Sequence, residues 1–359
     1  MVSRLGEFVF EIEDVRASKG LEIGALTSPI VTPNDVTDGG EIFYLDHLST
    51  ECLKEKYADD ATVDIERIVE VDFVCSDGDI VKSVGGSTFD YIIASHVIEH
   101  TPNMLQFMVD LLTILKPGGR VFFIVPDKRF TFDINRPETT FGMVLESFLC
   151  KQTKPSLSAV YDHFAMATKA NGHNVWHGIV DSKDKGLLIS EEFAWAAAQL
   201  VHNEGKYFDV HVNVFTPASF FSILKQAVQN GIVSLKVEKF DDTKIGQIEF
   251  MVAIQKPENI DDKAFCIETF PKLDIDNILS PYMPQVKSLS TALEQATNVA
   301  GKLQIEIEKL RSELSREKSE KTLLSNELTN SKQTLNRRGV KFALALLNSI
   351  HSLRQFLKR

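Results

Sequence analysis

The strongest constraint in this chain is a repeated alternation of short apolar runs and helical stretches between residues 15 and 257. Leu21-Glu22-Ile23 ends at Gly24, Ile42–Leu45 ends at Asp46, and Ile68–Val74 forms a third run. Phe89–Ala94 is the fourth, followed by a helical stretch from Asn103 to Leu115. The turn Lys116-Pro117-Gly118-Gly119 then leads into a fifth run, Arg120–Val125, which stops at Pro126. Short strands separated by helices pair in parallel, because parallel neighbours need a crossover and a helix supplies it. Phe215-Thr216-Pro217-Ala218-Ser219 predicts a capped helix start, with the helix running to Gln229. Two last strands, Val233–Phe240 and Gln247–Gln255, are joined by Asp241-Asp242-Thr243-Lys244 in a hairpin-like connection.

The alternation has one long interruption. Residues 130–213 form an insertion of ~85 residues, far longer than an ordinary connection. It carries Trp176, Trp195 and the histidines His163, His173, His177, His202 and His211. A wall along one side of a pocket is the role this suggests.

Beyond the domain of residues 1–257 the chain changes character. Residues 258–285 lose periodicity and read as a linker. From Leu289 to Leu335, steps of four and three alternate strictly through Leu303, Ile307, Leu310 and Leu314, and 11 of the 14 seam positions are apolar. That is a heptad seam, so residues 286–335 are expected to form a coiled coil. With Leu303 at d, Glu306, Glu313, Glu320 and Glu327 fall at g, and Arg311 and Lys318 at e. In a parallel, in-register pair, Glu306 would face Arg311 and Glu313 would face Lys318 of the second copy, so a parallel homo-oligomer is expected.

Charge divides the chain the same way. The net charge is -11, yet all seven charged residues after Glu327 are basic, so the first 327 residues carry -18. An acidic domain lacks the basic face that nucleic acid requires, and no nucleic-acid partner is expected. Residues 336–359 instead gather Ala343, Leu346, Leu347, Ile350, Leu353 and Leu357 on one helical face with basic residues at both ends. Such a helix suits an anionic membrane surface, a docking site on a partner protein, or packing against its own domain. No run approaches the ~18 apolar residues of a membrane span, and no signal peptide is expected at Met1–Phe8. Cys52, Cys75, Cys150 and Cys266 are scattered without metal-ligand spacing, so free thiols in a reducing cytoplasm and no metal are expected.

The chemistry concentrates at the strand ends. Glu22-x-Gly24 closes the first strand at a turn where backbone can approach a ligand closely. Asp46 follows 22 residues later, where nucleotide-binding sheets place a carboxylate for ribose hydroxyls. Asp77-Gly78 follows the third strand and Ser95-His96 the fourth. With Phe89–His100 and Leu115–Gly119, the set resembles class I S-adenosylmethionine-dependent methyltransferases over about residues 15–257. The stretch Val125–Asp133 resembles the subgroup encoded among bacterial surface-polysaccharide genes, beside glycosyltransferases.

The resemblance implies a doubly wound, mostly parallel, seven-stranded Rossmann-like α/β sheet with a terminal antiparallel hairpin. It implies S-adenosylmethionine as cofactor, with Glu22 and Gly24 beside its methionine end. Asp46 would take the ribose hydroxyls, Asp77-Gly78 the adenine amine, and Ser95 and His96 the floor where donor meets acceptor. The family repeats glycine through the first turn, where this chain has Leu26 and Ser28.

A hydroxyl acceptor needs a base, and histidine is matched to neutral pH. Asp162-His163 is the first candidate, the carboxylate orienting the ring; His96, His177 and His211 follow, while Glu99-His100 reads as packing. Lys128, Arg129 and Arg136 are candidates to hold an anionic substrate, or else form internal ion pairs. The expected activity is O-methylation of a sugar in a surface glycan, with a glycosyltransferase as a candidate partner. The alternatives are a small lipid or quinone precursor as acceptor, or a non-catalytic scaffold. The expected location is the cytoplasm, held at the inner face of the cell membrane by the basic tail.

Overall fold

The computed structural model describes residues 4–169, 175–176, 188–258, 263–273 and 283–356. The chain divides into two compact units, Met1–Ile275 and Asp276–Arg359.

In the first unit, helix α1 (Arg4–Phe10) precedes β1 (Lys19–Ile23) and β2 (Glu41–Asp46), then α2 (Thr50–Lys56) and β3 (Phe73–Val74). Next come α3 (Ile80–Ser83), β4 (Phe89–Ser95), α4 (Met104–Ile114) and β5 (Leu115–Pro126). The insertion supplies α5 (Phe141–Leu149), α6 (Leu157–Met166) and α7 (Glu191–Glu204). Helix α8 (Pro217–Gln229), strands β6 (Lys236–Asp241) and β7 (Glu249–Gln255), and α9 (Lys263–Glu268) complete it.

The seven strands lie in the order β3-β2-β1-β4-β5-β7-β6. The first five are parallel, and β7 runs antiparallel to both β5 and β6. The expected doubly wound sheet with its closing hairpin is therefore present. The order reverses between β1 and β4, which opens a crevice at their carboxyl ends, where ligands of such sheets bind.

Alternation along the strands assigns the two faces. Val121, Phe123 and Val125 of β5 point into the larger core with Phe220 and Leu224 of α8 and Leu111 of α4. Phe122 and Ile124 point the other way, against Phe8 and Val9 of α1. At the start of β5 the segment Lys116–Gly119 bulges past Asp90, and a side chain on Gly119 would meet the Asp90 carbonyl oxygen at 2.8 Å. Only glycine fits there. The β-branched and aromatic runs make the strands, and caps stop the helices: Asn103 accepts from the Gln106 amide at α4, and Thr216 with Ser219 forms a capping box at α8.

Three sequence expectations change. The stretch 258–285, expected as a linker, carries α9, and Cys266 and Phe270 are buried in the larger core. The third strand, expected over Ile68–Val74, shrinks to Phe73–Val74 because the earlier amides go elsewhere: Val69 to Leu26 O and Val71 to Thr50 Oγ1. No helix follows the Gly24 turn either. Pro29, Pro33 and Gly39-Gly40 break that crossover into a loop, which covers the sheet with Val31.

The insertion makes a small core of its own, in which Val160 of α6 and Ala197 of α7 pack with Val210 and Phe208. Its end is stitched to the sheet, because the amides of Val212 and Asn213 both donate to Glu99 O. Trp176 stacks on Phe130 with centroids 4.0 Å apart and donates to Gln247 O. All four cysteines are free.

In the second unit, α10 (Met283–Phe356) is one helix of 74 residues. It is about 110 Å long at 1.5 Å per residue and passes without a break through position 335. Its seam side chains Leu303, Ile307, Leu310, Leu314, Leu324, Leu328 and Leu335 are exposed in the single chain. Among the described residues no helix is long and apolar enough to cross a membrane.

Candidate active site

Three left-handed backbone positions gather at the carboxyl ends of β1 and β4. Gly24 has φ +70°, and a side chain there would meet Val97 Cγ2 at 3.1 Å. Leu26 and His96 hold φ values of +46° and +54° although neither is glycine. Left-handed backbone costs a residue with a Cβ of order 1–2 kcal/mol, and such strain gathers where geometry is fixed for function. The position where glycine is expected and leucine stands therefore keeps the glycine conformation.

Behind this turn lies Glu22, 1% exposed, accepting from the amides of Ile30 and Val31 at 2.8–3.1 Å. Burial pushes its carboxyl up to about 7, although those amides pull the other way. Its carboxylate therefore anchors the loop that replaces the expected helix. At the end of β2, Asp46 is also buried, and its Oδ1 accepts from the amide and Nδ1 of His47. Asp77 is exposed and accepts from Lys82 Nζ at 2.7 Å, which holds its carboxyl below the usual range. Gly78 has φ +81°, and a side chain there would meet nothing within 4 Å, so that turn is open. Ser95 ends β4 half-buried, and the His96 side chain is 39% exposed.

Four histidines converge beside this edge. His96 Nδ1 lies 3.5 Å from Glu99 Oε1, and His100 Nε2 lies 3.9 Å from the same oxygen. His100 Nδ1 stands 3.0 Å from Asp209, and His211 Nδ1 stands 2.6 Å from Asp133. The rings of His100 and His211 meet edge-to-face at 4.8 Å, and His163 Nδ1 accepts from the His211 amide. Burial opposes the charged form of His96 and His100, but Glu99 and Asp209 respectively outweigh it and raise both rings above their ordinary values. Burial, with the positive charges of Arg136 and His211, drives His163 down to about 4. His163 is neutral at pH 7 and a weak proton acceptor.

The expected Asp162–His163 pair gives way to a different arrangement. The orienting carboxylate is Asp133, it serves His211, and its other oxygen accepts from Arg136 Nη1 at 2.8 Å. Arg136, 4% exposed, is thereby turned inward. Arg129 grips both oxygens of the fully buried Asp127, and Lys128 donates to Ile134 O. Unpaired burial of such charges is costly, so these cations neutralise or satisfy interior acceptors. Glu99-His100, expected as packing, lies at the centre of the cluster. Neither this nor Asp209 carries a local motif; 78 residues separate Asp133 from His211. His177 lies outside the described residues.

A family model described as a methyltransferase domain matches residues 48–227. Among curated proteins, the chain is similar to the squalestatin tetraketide synthase of Phoma sp. (strain C2932), 26% identical over 236 residues, 62% of this chain and 8% of that one. It is also similar to the highly reducing polyketide synthase Preu5 of Preussia isomera, 44% identical over 45 residues, 12% of this chain and 2% of that one. The chain thus spans less than a tenth of the length of these relatives. Among solved structures, a putative Zn-dependent alcohol dehydrogenase of Rhodobacter sphaeroides aligns at 15% identity and TM-score 0.38, over 71% of this chain and 90% of that one. A SAM-dependent methyltransferase of Aquifex aeolicus aligns at 13% identity and TM-score 0.36, over the same shares.

Proposed function

The chain belongs to the methyltransferase-domain family, and on that premise we propose that it methylates a hydroxyl oxygen on a sugar of a bacterial surface glycan. The observation that carries the oxygen-acceptor reading is His96, held at φ +54° at the end of β4 with Glu99 behind it. S-adenosylmethionine supplies the methyl group, bound as a sulfonium. The site fits it: the Gly24 turn exposes backbone, and a buried carboxylate, Asp46, stands at the next strand end. Glu22 holds the loop beside the methionine end, Asp46 takes the ribose hydroxyls, and Asp77 with Gly78 borders the adenine. Ser95 and His96 line the floor.

The residues have little bond chemistry to perform. They align the acceptor and exclude water, and His96 takes the proton released as the oxygen is methylated. Glu99 stabilises the imidazolium that results. His163, held near 4, contributes as a neutral ring that donates or packs rather than as the base. The insertion, which supplies His163, His211 and Asp133, walls the acceptor side. Of the three candidate cations only Lys128 donates to a backbone carbonyl rather than a carboxylate, which leaves it the one to meet an anionic sugar.

A second reading follows from the curated relatives. One is named a highly reducing polyketide synthase and the other a tetraketide synthase, which favours an acyl chain or another small molecule as acceptor. Incubation with methyl-labelled S-adenosylmethionine and separate pools of nucleotide sugars, glycan fragments and acyl thioesters distinguishes the two. Label on a sugar oxygen supports the first reading; label on carbon of a thioester refutes it.

The long helix adds a proposal about assembly. Its exposed leucine seam and the facing g and e charges fit a second, parallel copy of this chain. The basic end of α10 suits an anionic membrane surface or a glycosyltransferase partner at the inner face of the membrane.

A further inference from the structure

We propose that Glu99, His100 and His211 form a binding site for one divalent transition-metal ion, of the borderline softness of Zn²⁺ or Fe²⁺. One ligand atom from each of the three lies within 4.8 Å of the others. Two imidazoles and a carboxylate are the donor set that such ions take with open positions left over.

Two further features point to a cation. Glu99 is 1% exposed, and neither of its carboxylate oxygens has a hydrogen-bond partner. A buried anion without partners is expensive, and its Oε1 faces the rings of His96 and His100 at 3.5 and 3.9 Å without bonding to either. A metal ion would satisfy it. In addition, each imidazole has a carboxylate behind it. Asp133 accepts from His211 Nδ1 at 2.6 Å, and Asp209 lies 3.0 Å from His100 Nδ1 without an aligned hydrogen bond, while His100 Nε2 lies 3.9 Å from Glu99. Carboxylate–histidine–metal relays have this form, and Arg136 fixes Asp133 in turn.

Bonds of about 2.1 Å to a tetrahedral ion place ligand atoms roughly 3.4 Å apart, so the three groups close by about an ångström on binding. His100, 36% exposed, has room to move. His96, 3.5 Å from the same Glu99 oxygen, lies beside the three ligands. There the ion would polarise the acceptor hydroxyl and ease loss of its proton. That role rests on the methyl-transfer reading, whereas the site itself does not.

The test uses the full chain, stripped by chelator and titrated with ZnCl₂ by calorimetry, with thermal unfolding measured alongside. One Zn²⁺ per chain should bind and raise the unfolding temperature. Glu99→Gln should weaken binding by more than about 100-fold. His202→Gln, on α7 away from the cluster, should bind as the unaltered chain does. Absence of Zn²⁺ binding by the unaltered chain overturns the proposal. So does undiminished binding by Glu99→Gln, or loss of binding in His202→Gln. If Glu99→Gln does not fold, His211→Gln takes its place with the same criterion.

Discussion

His211 Nδ1 stands 2.6 Å from Oδ2 of Asp133, whose other oxygen accepts from Arg136 Nη1 at 2.8 Å. Burial alone would raise the Asp133 carboxyl, but the hydrogen bond and charge of His211, joined by the charge of Arg136, hold it below the ordinary carboxylate range. The carboxylate therefore compensates an almost fully buried guanidinium and fixes the ring that borders the crevice.

Replacing Asp133 by Asn leaves Arg136 buried without its counter-ion. Breaking one partner of such a pair costs about 3–5 kcal/mol. The urea midpoint of Asp133→Asn should fall by the corresponding amount with an unchanged slope. A midpoint within error of the unaltered chain would mean that Arg136 reaches solvent.

Glu22 sets a pH dependence of stability. In the unfolded chain its carboxyl titrates near 4.5, and in the folded chain near 7. Between these values the folded state keeps a proton that the unfolded state has released. Stability therefore falls as pH rises through that window and levels off above it, by at most about 3 kcal/mol. Glu22→Gln should flatten this decline when urea midpoints are compared at about pH 5 and about pH 8. Parallel pH profiles for the two proteins would refute the assignment.

Leu26 is held at φ +46° in a turn where glycine is the easy choice. Leu26→Gly should be tolerated, since the relief of strain, of order 1 kcal/mol, offsets the lost side-chain contact. Leu26→Val, with a β-branched side chain, should be the less stable of the two by at least about 1 kcal/mol. Thermal unfolding ranks them, and the reverse order is incompatible with a left-handed residue at 26.

Much of this fold is legible in the chain because strand alternation and helix caps are local signals. All seven strands are visible as apolar runs, and the cap at Thr216 is written in Thr-Pro-x-Ser. The loop after β1 is harder, since Gly24 signals a turn whether or not a helix follows, and Pro29 and Pro33 decide against it. The short β3 depends on where the amides of Val69 and Val71 find acceptors, which is a tertiary matter. At the site, residues at strand ends such as Asp46 and His96 can be found by their place in the alternation. The pairing of Asp133 with His211, and of His100 with Asp209, joins distant segments of chain and leaves no local trace. Asp162 beside His163 is the nearest sequence substitute, and helix geometry sends the two neighbouring side chains in different directions.

The seam of α10 predicts an oligomer. The full chain should sediment above its monomer mass of 40.2 kDa. Leu310→Lys combined with Leu314→Lys, which puts charge into adjacent seam positions, should return it to monomer. A monomeric unaltered chain at micromolar concentration contradicts the pairing.

The central claim is that the carboxyl edge of β1 and β2 binds S-adenosylmethionine, and calorimetric titration of the full chain tests it most directly. The unaltered chain should bind one equivalent, and Asp46→Ala, which removes the carboxylate for the ribose hydroxyls, should lose measurable binding while remaining folded. No heat from the unaltered chain, or equal affinity in Asp46→Ala, would contradict the account.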